Sequence, residues 1–426
     1  MTSGTALAPL LPARPAWFPE LPSGWRRARL DHIASVSARI GWKALTADEY
    51  VPDGFAFLST PNIKAESIDF GEVNYISAFR YDESPELKLR IGDVLLAKDG
   101  NTLGIVNLVT ALPRPATVNG SIAVIRPSGV LPAFLRYYLA SQTAQSLIEA
   151  LKGGMGVPHL FQFDLNRFPV PIPPVGIQRA IADYLDGETA RIDTLVTAKQ
   201  RMIELLEERW QGRLEVMIRG LAERYGDIPL KYMCREVVVG IVITPSAWYA
   251  DSGIPALRGT NVSPGAISLD DLVYLTPEGH RLHPKSRLRS GDVVVVRTGQ
   301  AGAAAVVPPK LDGANCIDLV IIRLGSRYAP DFLEFVLNSD WMQKHIAEYS
   351  VGTIQSHFNV GAASMVPVPQ APLVEQHAAV DELRREQRLV AGFVDALDRQ
   401  LVLLQERRQA LITAAVTGQL DIPEAR

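Results

Sequence analysis

The sequence has few cysteines: only Cys234 and Cys316 occur among its 426 residues. Two lone thiols provide neither a disulfide framework nor the clustered ligands of a zinc site, and they fit a reducing compartment. No run of about 18 apolar residues is present, so we expect no membrane-spanning helix. Prolines interrupt the short apolar run near the start, and no basic segment precedes it, so we expect no signal peptide. These absences predict a cytoplasmic protein.

Positive charge is not in excess either, because 43 Lys and Arg residues face 46 Asp and Glu residues, for a formal net charge of −3. This balance argues against indiscriminate binding to polyanions, although a local basic face can still bind nucleic acid. The G-x-x-x-x-G-K-[ST] phosphate loop and the H-E-x-x-H metal motif are both missing. The glycine-rich GGMG at Gly153–Gly156 follows no convincing strand. We therefore expect no motor with that phosphate loop, no methyl-donor site and no bound metal or cofactor.

What the sequence does contain is an internal repeat, the feature that most constrains the fold. IELLEERWQGRLEVMIRG (Ile203–Gly220) and LVLLQERRQALITAAVTG (Leu401–Gly418) share several residues at an offset of 198. The same offset relates PVPIPP to PVPQAP and PAFLRYYL to PDFLEFVL further upstream. A drift of one residue relates the Gly-Asp-Val at 92–94 to that at 291–293. The chain therefore consists of two similar halves, each a mixed region followed by a long helix.

The mixed regions are predicted to be α+β. GDVLLAKDG and GDVVVVRTG are short β-rich runs that begin at a Gly-Asp turn, and SIAVIRP and DLVIIRL predict further strands. PAFLRYYL and PDFLEFVL predict helices with proline in the first turn. Each half then reaches a proline-rich stretch, which we expect to act as a rigid stop before the long helix.

Both long helices carry apolar residues at alternating steps of three and four, the pattern of a coiled coil. This seam extends from Leu383 to Ala415 in the second helix and from Leu185 to Met217 in the first, with Arg408 and Arg213 as polar positions. Two such helices related by an internal dyad are expected to pair antiparallel within the chain. Two separate amphipathic helices packed on globular cores are the alternative.

The segments PIPPVGIQRAIADYLDGETARIDTLV and ERRQALITAAVTGQLD resemble the helical regions of type I restriction–modification specificity subunits. LPSGWRRARL (Leu21–Leu30) resembles the opening of that family's first target-recognition domain, whereas the second half has YGDIPLKYM in that place. The resemblance covers the chain from about Leu21 to about Ile422. It implies two similar target-recognition domains and two long spacer helices, with the following boundaries: domains at 1–174 and 223–372, helices at 175–222 and 373–426.

In that family each globular domain recognises one half of a split double-stranded DNA target. The helices serve as a spacer and dock two methyltransferase subunits, which restriction (translocase and endonuclease) subunits join. Methyl donor, ATP and magnesium belong to those partners, so the resemblance implies a noncatalytic DNA-specificity subunit. Two alternatives stay open. One is a coiled-coil adaptor without base readout. The other is a metal-dependent nuclease, suggested by Pro52-Asp53 and Glu86-Leu87-Lys88, although VPDGF is typical of a turn.

Candidate DNA contacts are polar residues on loops that a rigid scaffold positions. Lys and Arg can bind guanine O6 and N7, and Asn and Gln can pair with adenine. The first set follows the Gly-Asp strand of each half: Lys98, Asn101, Thr102, Arg297, Thr298 and Gln300. The second set precedes the prolines: Lys152, His159, Gln355, Ser356 and His357. The third set lies early in each half: Lys43, Asn62, Lys64, Arg258 and Asn261. Each residue can equally belong to a solvated turn, and the histidines can be structural.

Overall fold

The computed structural model describes residues 20–37, 45–64, 67–154, 156–349 and 358–422. The chain divides into two compact units. The first comprises Met1–Ala198 with Arg399–Arg426, and the second comprises Lys199–Asp398. Each unit therefore contains one globular region together with part of both long helices.

The first unit is built from an antiparallel four-stranded sheet in the order β2-β8-β5-β6, a three-stranded sheet β4-β3-β7 and the pair β1-β9. Its strands are β1 (Arg26–Arg29), β2 (Ala34–Ser37), β3 (Phe55–Leu58), β4 (Asn74–Ile76), β5 (Val94–Ala97), β6 (Val106–Leu108), β7 (Ala116–Val118), β8 (Ile122–Pro127) and β9 (Pro169–Ile172). Its helices are α1 (Ala78–Asp82), α2 (Pro132–Ala140), α3 (Gln142–Leu151) and α4 (Gln162–Asn166), and the long helix α5 (Val175–Tyr225) follows.

The second unit repeats this order, with a four-stranded sheet β11-β20-β17-β18, a sheet β12-β16-β13-β19 and the pairs β14-β15 and β10-β21. Its strands are β10 (Asp227–Pro229), β11 (Cys234–Val239), β12 (Tyr249–Ala250), β13 (Ile254–Leu257), β14 (Val262–Ser263), β15 (Ala266–Ile267), β16 (Val273–Leu275), β17 (Val293–Val296), β18 (Ala304–Val306), β19 (Asn315–Cys316), β20 (Leu319–Leu324) and β21 (Pro367–Pro369). Its helices are α6 (Pro277–Leu282), α7 (Pro330–Leu337), α8 (Asp340–Tyr349) and α9 (Val360–Met365), before the long helix α10 (Leu373–Val416). The predicted α+β class and internal repeat are confirmed.

The apolar runs predicted as strands lie at the centres of the four-stranded sheets, where both faces are covered. Val94 and Leu96 of β5 point into the core shared with α2 and the long helices, whereas Leu95 points into the core formed with β3 and β7. Val293–Val296 of β17 alternates in the same way between two cores. A strand buried on both faces needs no polar alternation, which explains the continuous valines and leucines.

The proline-rich stretches form the edge strands β9 and β21, immediately before the long helices. β9 pairs antiparallel with β1, so that Arg27 lies opposite Pro171, and β21 pairs with β10 in the same way. Proline has no backbone N–H, so it fits a two-stranded edge better than a central strand. These strands fix where each long helix leaves its globular region.

A buried ion pair explains the repeated Gly-Asp turn. The Asp93 carboxylate accepts hydrogen bonds from Arg126 Nε and Nη2 on β8, both at 2.7 Å, and from the Arg90 N–H at 2.8 Å. In the second unit a single, longer contact stands in this place, with Arg323 Nε 3.4 Å from the Asp292 carboxylate, while Arg323 Nη1 pairs with Glu236 at 2.5 Å. Burial raises the pKa of Asp292, although Arg323 opposes that shift. The aspartate therefore closes the turn and ties it to the neighbouring strand.

A buried glutamine anchors the start of each long helix. Gln178 on α5 accepts a hydrogen bond from the Leu131 N–H at 2.8 Å and donates one to the Pro173 carbonyl at 2.8 Å. Gln376 occupies the corresponding place on α10 and is fully buried. One side chain thus satisfies backbone groups of two other segments. It holds the start of the long helix against the proline-rich strand and against the start of the first helix on the sheet.

We expect Gln376→Ala to lower the stability of the second unit by roughly 1–3 kcal/mol, the cost of a buried backbone donor left without a partner. The Ala329 N–H donates to Gln376 Oε1 at 2.8 Å, and Gln376 Nε2 donates to the Ala371 carbonyl at 2.8 Å. Thermal unfolding of the full chain followed by circular dichroism measures the effect. Gln405→Ala, an exposed position on the same helix, is the matched control. Equal midpoints for the two variants would contradict the anchoring role.

The two long helices form the predicted antiparallel coiled coil. In the second unit Tyr225 hydrogen-bonds Glu375 at 3.1 Å while Arg213 pairs with Glu386 at 3.3 Å, so the helices run in opposite directions. Every predicted seam residue of α10 is buried or half-buried. On α5 the exception is Arg213, whose exposed guanidinium pairs with two glutamates of α10 while the adjacent leucine is buried. No helix in the described part of the chain has the length and apolarity needed to cross a membrane.

The C-terminal part of α10 completes the core of the first unit. Ile412, Ala415 and Val416 are buried in the same cluster as Leu185 of α5 and the strands of the sheet. The helix ends at Val416, and two residues later Gly418 has a φ of +74°, where a Cβ would lie 2.3 Å from Pro22 Cγ. Only glycine meets both requirements without strain. The first core therefore depends on residues that follow the whole second unit in the chain.

Candidate nucleic-acid interface

In the first unit, the loop after β5 and the segment before the proline strand come together, although they are about 60 residues apart in sequence. The Leu160 N–H donates to the Lys98 carbonyl at 2.9 Å, and the Gly100 N–H donates to the Pro158 carbonyl at 2.9 Å. His159 forms further backbone hydrogen bonds with Gly153. We call residues 98–103, 152–154 and 156–161 the first tip cluster. Two candidate sets identified separately in the sequence thus share one surface.

A carboxylate lies at the centre of the first tip cluster. Asp99 accepts a hydrogen bond from His159 Nδ1, and its other oxygen lies 3.2 Å from Lys98 Nζ. Burial alone would raise the pKa of Asp99, but the hydrogen bonds from His159 and Ser121 and the charge of Lys98 hold it below its usual value. The Lys98 side chain is only 2% exposed. Lys98 therefore neutralises the aspartate, and both Lys98 and His159 hold the loop in shape through it.

The second unit builds a similar arrangement from different residues. Arg297, which follows β17, donates from Nη1 to Asp318 at 2.5 Å, and Thr298 Oγ1 lies 3.3 Å from the same carboxylate. The Phe358 N–H donates to the Arg297 carbonyl at 3.1 Å, as Leu160 does to Lys98 in the first unit. Asp318 has a left-handed φ of +51°. This residue was not predicted from the sequence, although it stands at the start of the DLVIIRL strand that pairs with β17.

Each of the two tips carries an exposed amide side chain. Asn101 and Gln300 are exposed, each following a glycine with positive φ, Gly100 at +70° and Gly299 at +80°. Glycine adopts a positive φ without strain, which suits the tight turn at each tip. Thr102 is half-buried with its hydroxyl 3.3 Å from the Asp99 carbonyl. Lys152 is exposed beside the first tip and pairs with Glu149.

The early loops predicted as a third set match each other but bury their asparagines. Asn62 Oδ1 accepts from the Ser59 N–H at 2.8 Å, and its Nδ2 donates to the Glu72 carbonyl at 2.8 Å. Asn261 forms the equivalent bonds with the Arg258 N–H and the Asp270 carbonyl. Such an asparagine has its hydrogen-bonding groups occupied by the protein, so the geometry gives it a structural task.

The charged members of that third set also have partners. Lys64 pairs with Asp69 at 3.0 Å and lowers the pKa of that carboxyl group by hydrogen bonding. Arg258 donates from Nη2 to the Asp271 carbonyl at 2.7 Å. Lys43, Gln355, Ser356 and His357 lie outside the described residues, so their predicted role stays a prediction.

The elements of the nuclease pattern are engaged in separate ion pairs. Asp53 pairs with Arg114 at 2.8 Å, and Lys88 pairs with Asp82 at 2.5 Å. Within the described ranges, no group of three or more His, Cys, Asp or Glu side chains could hold a metal ion. Burial raises the pKa of Cys234 to about 12, which keeps that thiol protonated. This geometry gives the metal-dependent nuclease hypothesis no support.

Comparison with known proteins agrees with the fold and its repeat. The family model for the type I restriction modification DNA specificity domain matches residues 22–205. The MjaVIII specificity subunit of Methanocaldococcus jannaschii is 19% identical over 422 residues, which covers 94% of either chain. The EcoKI specificity subunit of Escherichia coli is 21% identical over 425 residues, covering 94% of this chain and 90% of that one.

A solved structure shares the fold. It comes from work on the structural basis of complex assembly and conformational transition in the type I restriction–modification system. Its TM-score is 0.66 at 21% identity, and the match covers 94% of this chain and 100% of that chain. The similarity therefore extends through both units and both long helices rather than through one domain. On this evidence residues 22–205 match the type I restriction modification DNA specificity domain, and the chain as a whole is similar to type I restriction enzyme specificity subunits.

Proposed function

We propose that the chain is the noncatalytic subunit that gives a cytoplasmic type I restriction–modification complex its DNA sequence specificity. In this proposal the recognition domains at 1–174 and 223–372 each read one half of a bipartite double-stranded target. The observation that carries it is the repeated tip cluster. Each unit holds a basic residue, a carboxylate and an exposed amide near the end of the central strand, β5 or β17, of its four-stranded sheet. Two equivalent loops on two equivalent scaffolds suit two half-sites.

Asn101 and Gln300 are the strongest candidates for base readout, because a projecting amide can donate to N7 and accept from N6 of adenine. Thr102, Thr298 and Lys152 would contact bases or phosphates beside them. Lys98 and Arg297 act mainly by holding the loop, since both side chains are largely covered and paired with aspartates. Tight ion pairing also fixes the loop before DNA arrives, which lowers the entropy cost of binding.

The long helices, at 175–222 and 373–426 in the predicted organisation, are proposed to dock two methyltransferase subunits and through them the restriction subunits. Exposed apolar side chains on the helices support this role. Leu389 and Phe393 of α10 and Val216 of α5 are each more than half exposed in the second unit. Large apolar side chains in water are costly when they recur along one element, and they mark surfaces that a protein partner covers.

We expect Gln300→Ala to relax recognition in one half of the target while the other half stays strict. Losing a bidentate base contact removes about 1–3 kcal/mol of discrimination, or roughly 5- to 150-fold at that base pair. Asn101→Ala is the matched control and should relax the opposite half. Sequencing of methylated sites, made by the chain assembled with its methyltransferase subunits, measures both effects.

Two outcomes would count against this assignment. Unchanged base preference in both variants, with methylation intact, would remove the amides from the readout. Stable assembly with methyltransferase subunits without any sequence preference in the wild-type chain would favour the coiled-coil adaptor. Both outcomes come from the same sequencing experiment, because the wild-type assembly is its reference.

A further inference from the structure

Two phenylalanines are exposed at the end of the first tip cluster and in the helix α4 that follows it. Phe161 is 43% exposed and Phe163 is 57% exposed. The Phe161 ring lies with its centroid 4.4 Å from that of His159, edge to face. The same ring covers Gly153, where a Cβ would come within 3.2 Å of its Cε2 atom. Phe161 therefore packs on the segment that hydrogen-bonds to the loop carrying Asn101, and Phe163 follows two residues later in α4.

The second unit has no such rings at the matching positions. At the repeat offset of 198, Phe161 corresponds to Asn359 and Phe163 to Gly361, at the start of α9. Asn359 caps that helix by accepting a hydrogen bond from the Ala362 N–H at 2.9 Å. Phe161 occupies the same N-cap position of α4 and provides no side-chain cap. Phenylalanine is thus a poor choice for the local fold, in which asparagine is among the best caps.

Hydrophobic burial does not explain why phenylalanines occupy positions 161 and 163 either, because more than half of the Phe163 side chain is exposed to solvent. The guanidinium of Arg167 lies over the Phe163 ring, 3.7 Å from its centroid. An apolar surface with a cation on it matches a ligand that combines apolar edges with negative charge. Duplex DNA provides both, as thymine methyl groups and deoxyribose beside phosphates.

We infer that Phe161 and Phe163 form an apolar contact with the DNA of the first half-site, with Arg167 on an adjacent phosphate. The inference rests on the proposed function and deepens it, because it makes the two recognition domains chemically unequal. The first domain combines amide readout with apolar contact, whereas the second lacks these two rings. Loss of a local cap and exposure of two rings are costs that such a contact offsets.

The test replaces both rings, as Phe161→Asn with Phe163→Ala, in the chain assembled with its methyltransferase subunits. Binding to target DNA is measured over a range of salt concentrations. We expect affinity to fall about ten- to a hundredfold, the usual range for one or two apolar or stacking contacts, with an unchanged salt slope. Apolar contacts release no counterions, so only Arg167→Gln should change that slope, by about one. Phe79→Ala, which removes a 71% exposed ring on α1, should leave affinity unchanged.

Two further measurements distinguish loss of a DNA contact from misfolding of the variant. Thermal unfolding of the double variant should not occur earlier than in the wild type, because Phe161→Asn introduces a favourable helix cap, so lost binding cannot be attributed to misfolding. With DNA whose first half-site is scrambled, the double variant and the wild type should bind equally. The inference would be overturned if the double variant bound the intact target as tightly as the wild type does. It would also be overturned if the double variant assembled more weakly with the methyltransferase subunits, because the rings would then contact protein. Absence of sequence-specific binding by the wild-type assembly would overturn the proposed function itself.

Discussion

Asp93→Ala is expected to destabilise the first unit by about 3 kcal/mol. Removing one partner of a buried ion pair typically costs about 3–5 kcal/mol, because the other charge loses its compensation. Asp93 is 1% exposed and receives both hydrogen bonds of the Arg126 fork as well as one from the Arg90 N–H. We take the lower end of the range because Arg126 is 25% exposed and can be partly hydrated.

Denaturant unfolding of the full chain, followed by hydrogen exchange to separate the two units, measures this loss. Asp53→Ala removes an exposed aspartate that is also paired with an arginine, and it should leave the unfolding midpoint unchanged. A second variant, Asp93→Ala combined with Arg126→Met, should recover part of the stability, because no unpaired charge then remains. Equal midpoints for Asp93→Ala and Asp53→Ala would show that the turn does not depend on its buried pair.

Inserting seven residues into each long helix, after Leu195 and after Phe393, is expected to widen the gap in the DNA target by about three base pairs. Seven residues add about 10 Å of helix at 1.5 Å per residue, and a base pair spans about 3.4 Å. A whole heptad keeps the apolar seam in phase, and both insertion points follow exposed side chains. Three base pairs also rotate the duplex by about 100°, so we expect weaker binding at the new spacing.

Mapping of methylated sites measures the gap directly. An insertion of four residues at the same points is the control, because it shifts the seam out of phase and should abolish the complex rather than alter its target. Retention of the parental gap at full efficiency in the heptad variant would show that the partner subunits set the spacing. Intact half-sites at a wider gap would support the long helices as the spacer.

Much of the fold could be predicted because the sequence repeats, so that the pattern of a strand or helix in one half could be compared with its counterpart in the other half. β5 and β17 each follow a Gly-Asp turn and contain apolar residues only, and both are central strands. The long helices were predictable from the seam alone, since heptad spacing is a local property of sequence. The exception at Arg213 arises because a long, charged side chain can leave the seam and pair across the helices.

The candidate site was harder to predict, because burial depends on pairing between distant segments. Asn62 and Asn101 look alike as loop asparagines, yet the first is buried as a cap and the second projects into solvent. Lys98 looked available, but the segment around His159 covers it. Phe161 shows the opposite difference. A phenylalanine that follows a leucine is typical of a buried core position, yet this ring is exposed. Comparison with Asn359 in the other half was the one available signal.

The return of α10 to the first core has a consequence for synthesis in the cell. The strands of the first unit emerge from the ribosome early, but their partners Ile412 and Val416 follow about 200 residues after Ala198. At about 5–20 residues per second, the apolar face of the first sheet waits roughly 10–40 seconds for its cover. During that interval it is a substrate for chaperones and a risk for aggregation. A premature stop within α10 would therefore disable the domain that was translated first.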